Sequence, residues 1–268
     1  MPCKTPMPKT PRVAAGSCAV LLVCALAGCS GGDGSHDGSG SGGDASPFAP
    51  AVAAQGGALP GGGRLVITTE GGVRLVGGGG DRVRVEDGTK AHWDGEGPTR
   101  TLDLPCDEND RRAEKNCGGM PVVHVPSGAD VTVSARNAGV DVTGVRGALT
   151  LTTVNGDVTV QDAGDRHERS RLVTRNGSVR ATGLRAAHLG AETVNGDVDL
   201  ACDNAPGDVS GVSRNGSVRV TLPSDAPSYA ADATTVNGRT DVDVPSSSPK
   251  EHELSLRTVN GDVEAHRG

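Results

Sequence analysis

The chain has 268 residues, formal net charge −7 and 41 glycines, but one phenylalanine, one tryptophan and one tyrosine. So acidic a chain with no aromatic platform excludes nucleic-acid binding as its main activity. The sole long apolar run is N-terminal, which excludes a polytopic membrane protein.

Lys4, Lys9 and Arg12 precede an apolar stretch from Val13 to Ala27, which runs into Gly28-Cys29. At about 15 residues the stretch is shorter than the roughly 20 that span a bilayer. Residues 1–28 therefore resemble a bacterial lipoprotein signal, with Cys29 as the acylated first residue of the mature chain. Two acyl chains on Cys29 would anchor the protein stably to the extracytoplasmic face of a membrane. Residues 29–63 are Gly, Ser, Ala and Pro with scattered Asp, a composition that predicts a flexible tether. Gly38, Gly40 and Gly43 fit a dinucleotide-binding pattern only by low complexity, since neither a strand nor a helix flanks them.

From residue 64 to residue 268 the chain repeats itself. Asn-Gly recurs at Asn155, Asn176, Asn195, Asn215, Asn237 and Asn260, with a period near 20 residues. Two residues earlier stand Thr153, Thr174, Thr193, Ser213, Thr235 and Thr258. Three residues later stand Val158, Val179, Val198, Val218, Thr240 and Val263. A degenerate copy surrounds Asn137, and another surrounds Glu70, with Thr68 before it and Val73 and Leu75 after. Between Glu70 and Asn137 the phase is blurred. Each copy reads as strand, corner, strand, with one buried face.

Two all-β architectures fit. Asn-Gly is the strongest hairpin signal, because a type I′ turn needs positive φ at both positions; six hairpins would make an antiparallel barrel or sandwich. Alternatively, each copy is one coil of a single-domain parallel β-solenoid, β-helix-like, with coils of about 20 residues. Two features favour the solenoid. A hairpin requires no hydroxyl two residues before its turn, whereas stacking puts like side chains about 4.8 Å apart, where hydroxyl and Asn amide ladders form. The flanks also alternate: Asp157, Ser178, Asp197, Ser217, Arg239, Asp262 after Asn-Gly, and Val154, Arg175, Val194, Arg214, Val236, Val259 before it. Stacking in chain order then sets no like charges on one another. The last coil, open after Val263, predicts weak end-to-end self-association unless His266 and Arg267 blunt its edge.

Beyond the signal and the anchor, Cys106, Cys117 and Cys202 remain. Cys106 and Cys117 bracket a charged loop, and a disulfide between them is expected outside the cytoplasm; Cys202 is left unpaired. No zinc-ligand spacing occurs, and none of the familiar nucleophile, phosphate-loop or metalloprotease motifs is found. No metal, cofactor or catalytic residue is therefore assigned. His167 sits in a charged loop. Asp197 with Asp199 and Asp241 with Asp243 read as solvated faces, and Arg175, Arg180, Arg214 and Arg219 as inter-coil ion pairs or an anion-binding stripe.

Thr-Val-Asn-Gly-Asp-Val at 153–158, 193–198 and 258–263, with the entry Val125-Pro126-Ser127-Gly128-Ala129-Asp130-Val131, resembles the "putative adhesin" family of bacterial envelope proteins. The resemblance covers roughly residues 64–268. It implies a β-helix-like fold on the cell surface, with some relatives linked to envelope-stress operons, and supplies no catalytic residues. The insertion from Cys106 to Cys117 departs from the family pattern.

The expected function is that of a non-enzymatic surface lipoprotein, adhesin-like or a scaffold, with an envelope polymer or a protein as partner. The alternatives are an envelope-stress accessory that binds a membrane sensor, and a polysaccharide lyase, which lacks aromatic subsites here. Replacing Cys29 (Cys29→Ala) is expected to move the protein from the membrane to the soluble fraction on cell fractionation; retention in the membrane would rule out the anchor.

Overall fold

A computed structural model describes residues 57–59, 62–109, 116–246 and 251–268. Cys29, the signal and nearly all of the tether lie outside the described residues. The alternating segments form β1 (Arg64–Thr69), β2 (Val73–Gly78), β3 (Arg84–Val85), β4 (His92–Asp94), β5 (Thr99–Leu104), β6 (Val122–Pro126), β7 (Asp130–Ser134), β8 (Val140–Thr143), β9 (Leu149–Thr152) and β10 (Val158–Gln161). They continue as β11 (Gly164–Val173), β12 (Val179–Glu192), β13 (Val198–Cys202), β14 (Asp208–Val212), β15 (Val218–Leu222), β16 (Ala230–Asn237), β17 (Thr240–Asp243), β18 (Glu253–Asn260) and β19 (Val263–Arg267).

Each copy gives one strand to each of two ladders and crosses between them at its Asn-Gly corner. The first ladder runs β4, β5, β1, β7, β9, β11, β12, β14, β18, β16. The second runs β3, β6, β2, β8, β10, β12, β13, β15, β19, β17. Long β12 passes through both. Among the described residues all strand pairings are parallel except β3 with β6 and β4 with β5, beside one isolated antiparallel bridge between Ala58 and Arg82. This is the β-solenoid-like arrangement, not a set of hairpins.

The core is built from rows of identical positions. Val73, Val140, Val158, Val179, Val198, Val218 and Val263 stack one on another and are fully buried. The facing ladder stacks Leu65, Val131, Leu149, Ser170, Leu189, Val209 and Leu254. Period-2 alternation with one buried face is what places these side chains inside.

The corner chemistry explains why the motif is fixed. Type I′ geometry is absent: Asp162 is the one non-glycine residue with positive φ among the described residues, so no corner Asn adopts it. Instead the corner bonds to its neighbours in the stack. The Asn176 Nδ2 donates to Asn155 Oδ1 at 2.8 Å, Asn195 to Asn176 at 2.8 Å and Asn215 to Asn195 at 2.9 Å. The hydroxyl two residues earlier does not join a hydroxyl ladder. Thr174, Thr193 and Ser213 donate instead to the carbonyls of Gly156, Gly177 and Gly196, each at 2.8 Å. A buried hydroxyl needs an acceptor, and the carbonyl at a corner has no strand to pair with. After the Gly, Asp and Ser alternate because each accepts the next coil's N–H: Ser178 N–H donates to Asp157 Oδ1 at 2.8 Å, and Asp197 N–H to Ser178 Oγ at 3.1 Å.

The stack departs from chain order at both ends. The final coil, β18–β19, lies between β14–β15 and β16–β17, so Asn215 is followed by Asn260 and then Asn237. The open edge is therefore β16–β17, not the strand after Val263. The reason is apolar content. Leu254, Leu256 and Val263 are fully buried, whereas Ala231, Ala233 and Thr240 take their places in the outer coil. Burying each large side chain stabilises by about 1.5–3 kcal/mol, so the richer coil goes inside. The swap also completes the corner row, as Asp262 N–H donates to Ser217 Oγ and Arg239 N–H to Asp262 Oδ1.

At the other end, β5–β6 lies outside β1–β2 and is closed by the antiparallel strands β3 and β4, with Leu59, Val83 and Val85 buried beneath. Its corner is replaced by the insertion, clasped by the Cys106–Cys117 disulfide. The corner of β1–β2 is one residue shorter than the others, so the buried hydroxyl there is Thr69 rather than Thr68.

Gly196 has φ 151°, and a Cβ on it would sit 2.1 Å from the Gly177 carbonyl oxygen. Gly196→Ala is expected to lower the unfolding free energy in urea by more than the ~1–3 kcal/mol typical of backbone strain alone. Gly190→Ala, where a Cβ meets nothing within 4 Å, is expected to change it little. Thr193→Val, which leaves the Gly177 carbonyl unpaired, is expected to cost about 1–3 kcal/mol in the same assay, with Thr193→Ser close to wild type.

Candidate functional site

The corners line up into a ridge along the stack. The residue before each Asn and the Asn itself reach the surface. In stack order the first of these positions reads Arg136, Val154, Arg175, Val194, Arg214, Val259, Val236. Val154, Val259 and Val236 are the exposed large hydrophobic side chains of the described residues, at 37%, 40% and 74%. The ridge thus collects an apolar component that the two sheet faces lack.

Its arginines differ from those on the faces. On the second ladder's outer face Arg74 pairs with Asp141 at 3.2 Å and Arg219 with Glu264 at 2.7 Å, and Arg180 reaches the corner carboxylate of Asp157 at 2.5 Å. On the first ladder Arg171 pairs with Glu192 at 3.2 Å and Arg257 with Asp232 at 2.6 Å. The Arg219 hydrogen bond holds the Glu264 carboxyl below the usual range. At Asp157, burial raises the pKa, but the Ser178 N–H and Arg180 outweigh it and the net shift is downward. Arg136, Arg175 and Arg214 make no ion pair or side-chain hydrogen bond among the described residues. Of the four arginines that the repeat singles out, Arg180 and Arg219 are therefore neutralised on a face, and Arg175 and Arg214 stand unpaired on the ridge.

Beside this row runs the amide ladder from Asn137 through Asn155, Asn176, Asn195, Asn215 and Asn260 to Asn237. Each internal amide uses one N–H and one oxygen lone pair within the ladder. One of each remains for an outside partner. The ladder is anchored from beneath by the buried hydroxyls, so the ridge is held by its own supports rather than by a loop.

The remaining candidates are placed as follows. Asp197 accepts the Ser217 N–H at 2.8 Å. Asp199 stacks between Arg180 and Arg219, and Asp241 and Asp243 are exposed on the outer coil. His167 lies in a bulge, where the register between β11 and β12 shifts between Asp165 and Arg169. Next to it a depression of about 260 Å³ is lined by Arg169, Arg171, His188, Gly190, Asp208 and Ser210, with His188 Nδ1 2.5 Å from Asp208. Cys202 is free and half-buried, and burial pushes its thiol up to about 12, so it stays protonated at neutral pH. Among the described residues no group of three or more His, Cys, Asp or Glu is placed to hold a metal ion.

Sequence reasoning missed Arg136, because its copy has Ala138 in place of Gly. It read the Val/Arg alternation as avoided repulsion, and grouped Arg175 and Arg214 with Arg180 and Arg219 as inter-coil ion pairs or one anion-binding stripe, without separating the ridge pair from the face pair. The signal for the ridge was present in that alternation: every position concerned comes directly before the corner Asn.

Two solved structures match the chain over most of its length. One is a cell adhesion protein, described as putative, from Clostridium sporogenes: 8% identity, TM-score 0.33, covering 79% of this chain and 97% of that one. The other is a "putative adhesin" from Bacteroides fragilis: 13% identity, TM-score 0.37, covering 78% of this chain and 94% of that one. No curated protein matches. Residues 114–265, more than half of the chain, match the family model described as Toastrack DUF4097. With its parallel coils and repeated Asn-Gly corners, the chain belongs to the Toastrack DUF4097 family.

Proposed function

We propose that this protein is a non-enzymatic binding module, adhesin-like in role, held at the extracytoplasmic surface of a bacterial membrane through lipid on Cys29. The observation that carries the reading is the corner ridge. It gathers the exposed large hydrophobics, three unpaired arginines and an amide ladder in one line on a rigid support. Monomeric surfaces rarely concentrate exposed apolar side chains without a partner to cover them, and repeat solenoids bind through extended surfaces. The lipobox-like Leu26-Ala27-Gly28-Cys29 and the Cys106–Cys117 disulfide support a location outside the cytoplasm.

A second reading, an accessory that binds a membrane sensor protein, is favoured by the open edge. Among the described residues strands β16 and β17 have paired neighbours on one side only, and an extended segment of a sensor could add there as a further strand. The same edge is where weak self-association of the domain would occur.

Immobilised full chain is expected to retain a polymer or protein from envelope extract. The ridge variant Val259→Asp with Val236→Asp is expected to lose it, because the added carboxylates sit where the partner docks. Equal retention by both would move the binding surface off the ridge, and no retention by either would end the binding-module reading.

A further inference from the structure

The spacing of the ridge narrows what it can bind. Adjacent coils are about 4.8 Å apart, so Arg136, Arg175 and Arg214, each two coils from the next, recur at about 10 Å. Valine stands between them, at Val154 and Val194, and the amide ladder offers a donor and an acceptor at every coil. The comb is therefore cationic at every second step, apolar at the steps between, and hydrogen-bonding at all of them. Glu70 lies one coil beyond Arg136 and bounds it at that end.

Few linear partners fit this period. An extended peptide repeats same-face side chains at about 7 Å, and a nucleic-acid strand carries a charge about every 3.4 Å along a helix. The peptide is out of step at the next arginine. In the nucleic-acid strand every third phosphate falls in step, but the two between meet valine and amide with no cation opposite them. A glycan whose alternate sugars carry a carboxylate stays in step: one charge per disaccharide meets each Arg, the uncharged sugar's C–H face meets each Val, and hydroxyls meet the amides. The whole chain's net charge of −7 disfavours a polyanion over most of the surface; on the faces Arg74, Arg171, Arg180, Arg219 and Arg257 are already paired with carboxylates, whereas the ridge aligns three unpaired arginines.

We infer that the Asn-Gly corner ridge is a docking comb for a linear acidic polysaccharide bearing a carboxylate on alternate sugars, with Arg136, Arg175 and Arg214 as its anion contacts. The inference deepens the binding-module reading and rests on it. Guanidinium suits this role because its planar fork meets a carboxylate with two parallel N–H donors.

The test uses the full chain with ten-sugar hyaluronan oligosaccharides, which carry a carboxylate on every second sugar, and neutral chitin oligosaccharides. Calorimetry is expected to show binding to hyaluronan that weakens with salt, and little binding to chitin. Arg175→Gln and Arg214→Gln are each expected to weaken it about three- to fivefold, as for solvent-exposed ion contacts. Arg185→Gln, whose side chain pairs with Asp203 away from the corners, is expected to leave it unchanged. The decisive variant keeps the charge and breaks the period: Arg175→Val combined with Val194→Arg is expected to weaken binding as much as Arg175→Gln. Wild-type affinity in that variant, or equal affinity for chitin, overturns the inference. Absence of glycan binding by a chain that still retains an envelope protein overturns it too, while leaving the binding-module reading standing; a chain that retains nothing at all loses both.

Discussion

A chain that turns a corner inside a stack leaves strand pairing behind, and its backbone polar groups must find partners there or stay unpaired. The corner of this protein solves that problem between coils rather than within them. The Thr or Ser hydroxyl bonds the Gly carbonyl of the preceding coil, the Asn amide bonds the preceding Asn, and Asp or Ser accepts the N–H of the coil that follows. An unpaired buried polar group costs about 1–3 kcal/mol. Repeated over the corners, that cost would match the whole 5–15 kcal/mol by which a domain is usually stable. The five-residue motif is therefore tied to having a neighbour: a single copy cannot complete it, and only a stack can.

The same constraint divides the surface. Identical units stacked at a short interval would place like charges on one another, and the faces avoid this by alternating sign, as in the row Arg74, Asp141, Thr159, Arg180, Asp199, Arg219, Glu264. The ridge is different, because Val rather than an acid alternates with Arg. Repulsion is relieved there by distance instead of neutralisation. The outcome is a line of cations without carboxylate partners among the described residues, standing on a backbone tied coil to coil by the corner hydrogen bonds.

Much of this was legible in the residues. Thr153, Asn155 and Asp157, repeated at fixed offsets, carry both the stacking and the reason for it, because a hairpin makes no use of the first and third. The order of the coils was harder to read. Near-identical copies offer β14 and β15 interchangeable partners, and chain order is the natural assumption. The clue was the weak copy at 230–243, with Thr240 where the others have Val and Ala231 and Ala233 where the last copy has Leu254 and Leu256. Such a coil buries little and belongs at an end. Which acid Arg219 meets depended on that order: chain order sets it beside Asp241, whereas the structure sets it beside Glu264. The exposure of Val236 follows from the same clue, since it lies in that outer coil.

The inserted final coil bears on how the molecule is made. As the chain emerges from the ribosome or is threaded across a membrane, residues 230–243 arrive before 253–267, yet their proper seat exists only once the later segment has docked. Until then β14 and β15 present a bare, apolar landing place to whichever segment comes first. In the finished fold, among the described residues, the outer coil therefore pairs only with the coil that follows it in the chain, and the contacts of 230–243 with the stack depend on 253–267 being in place.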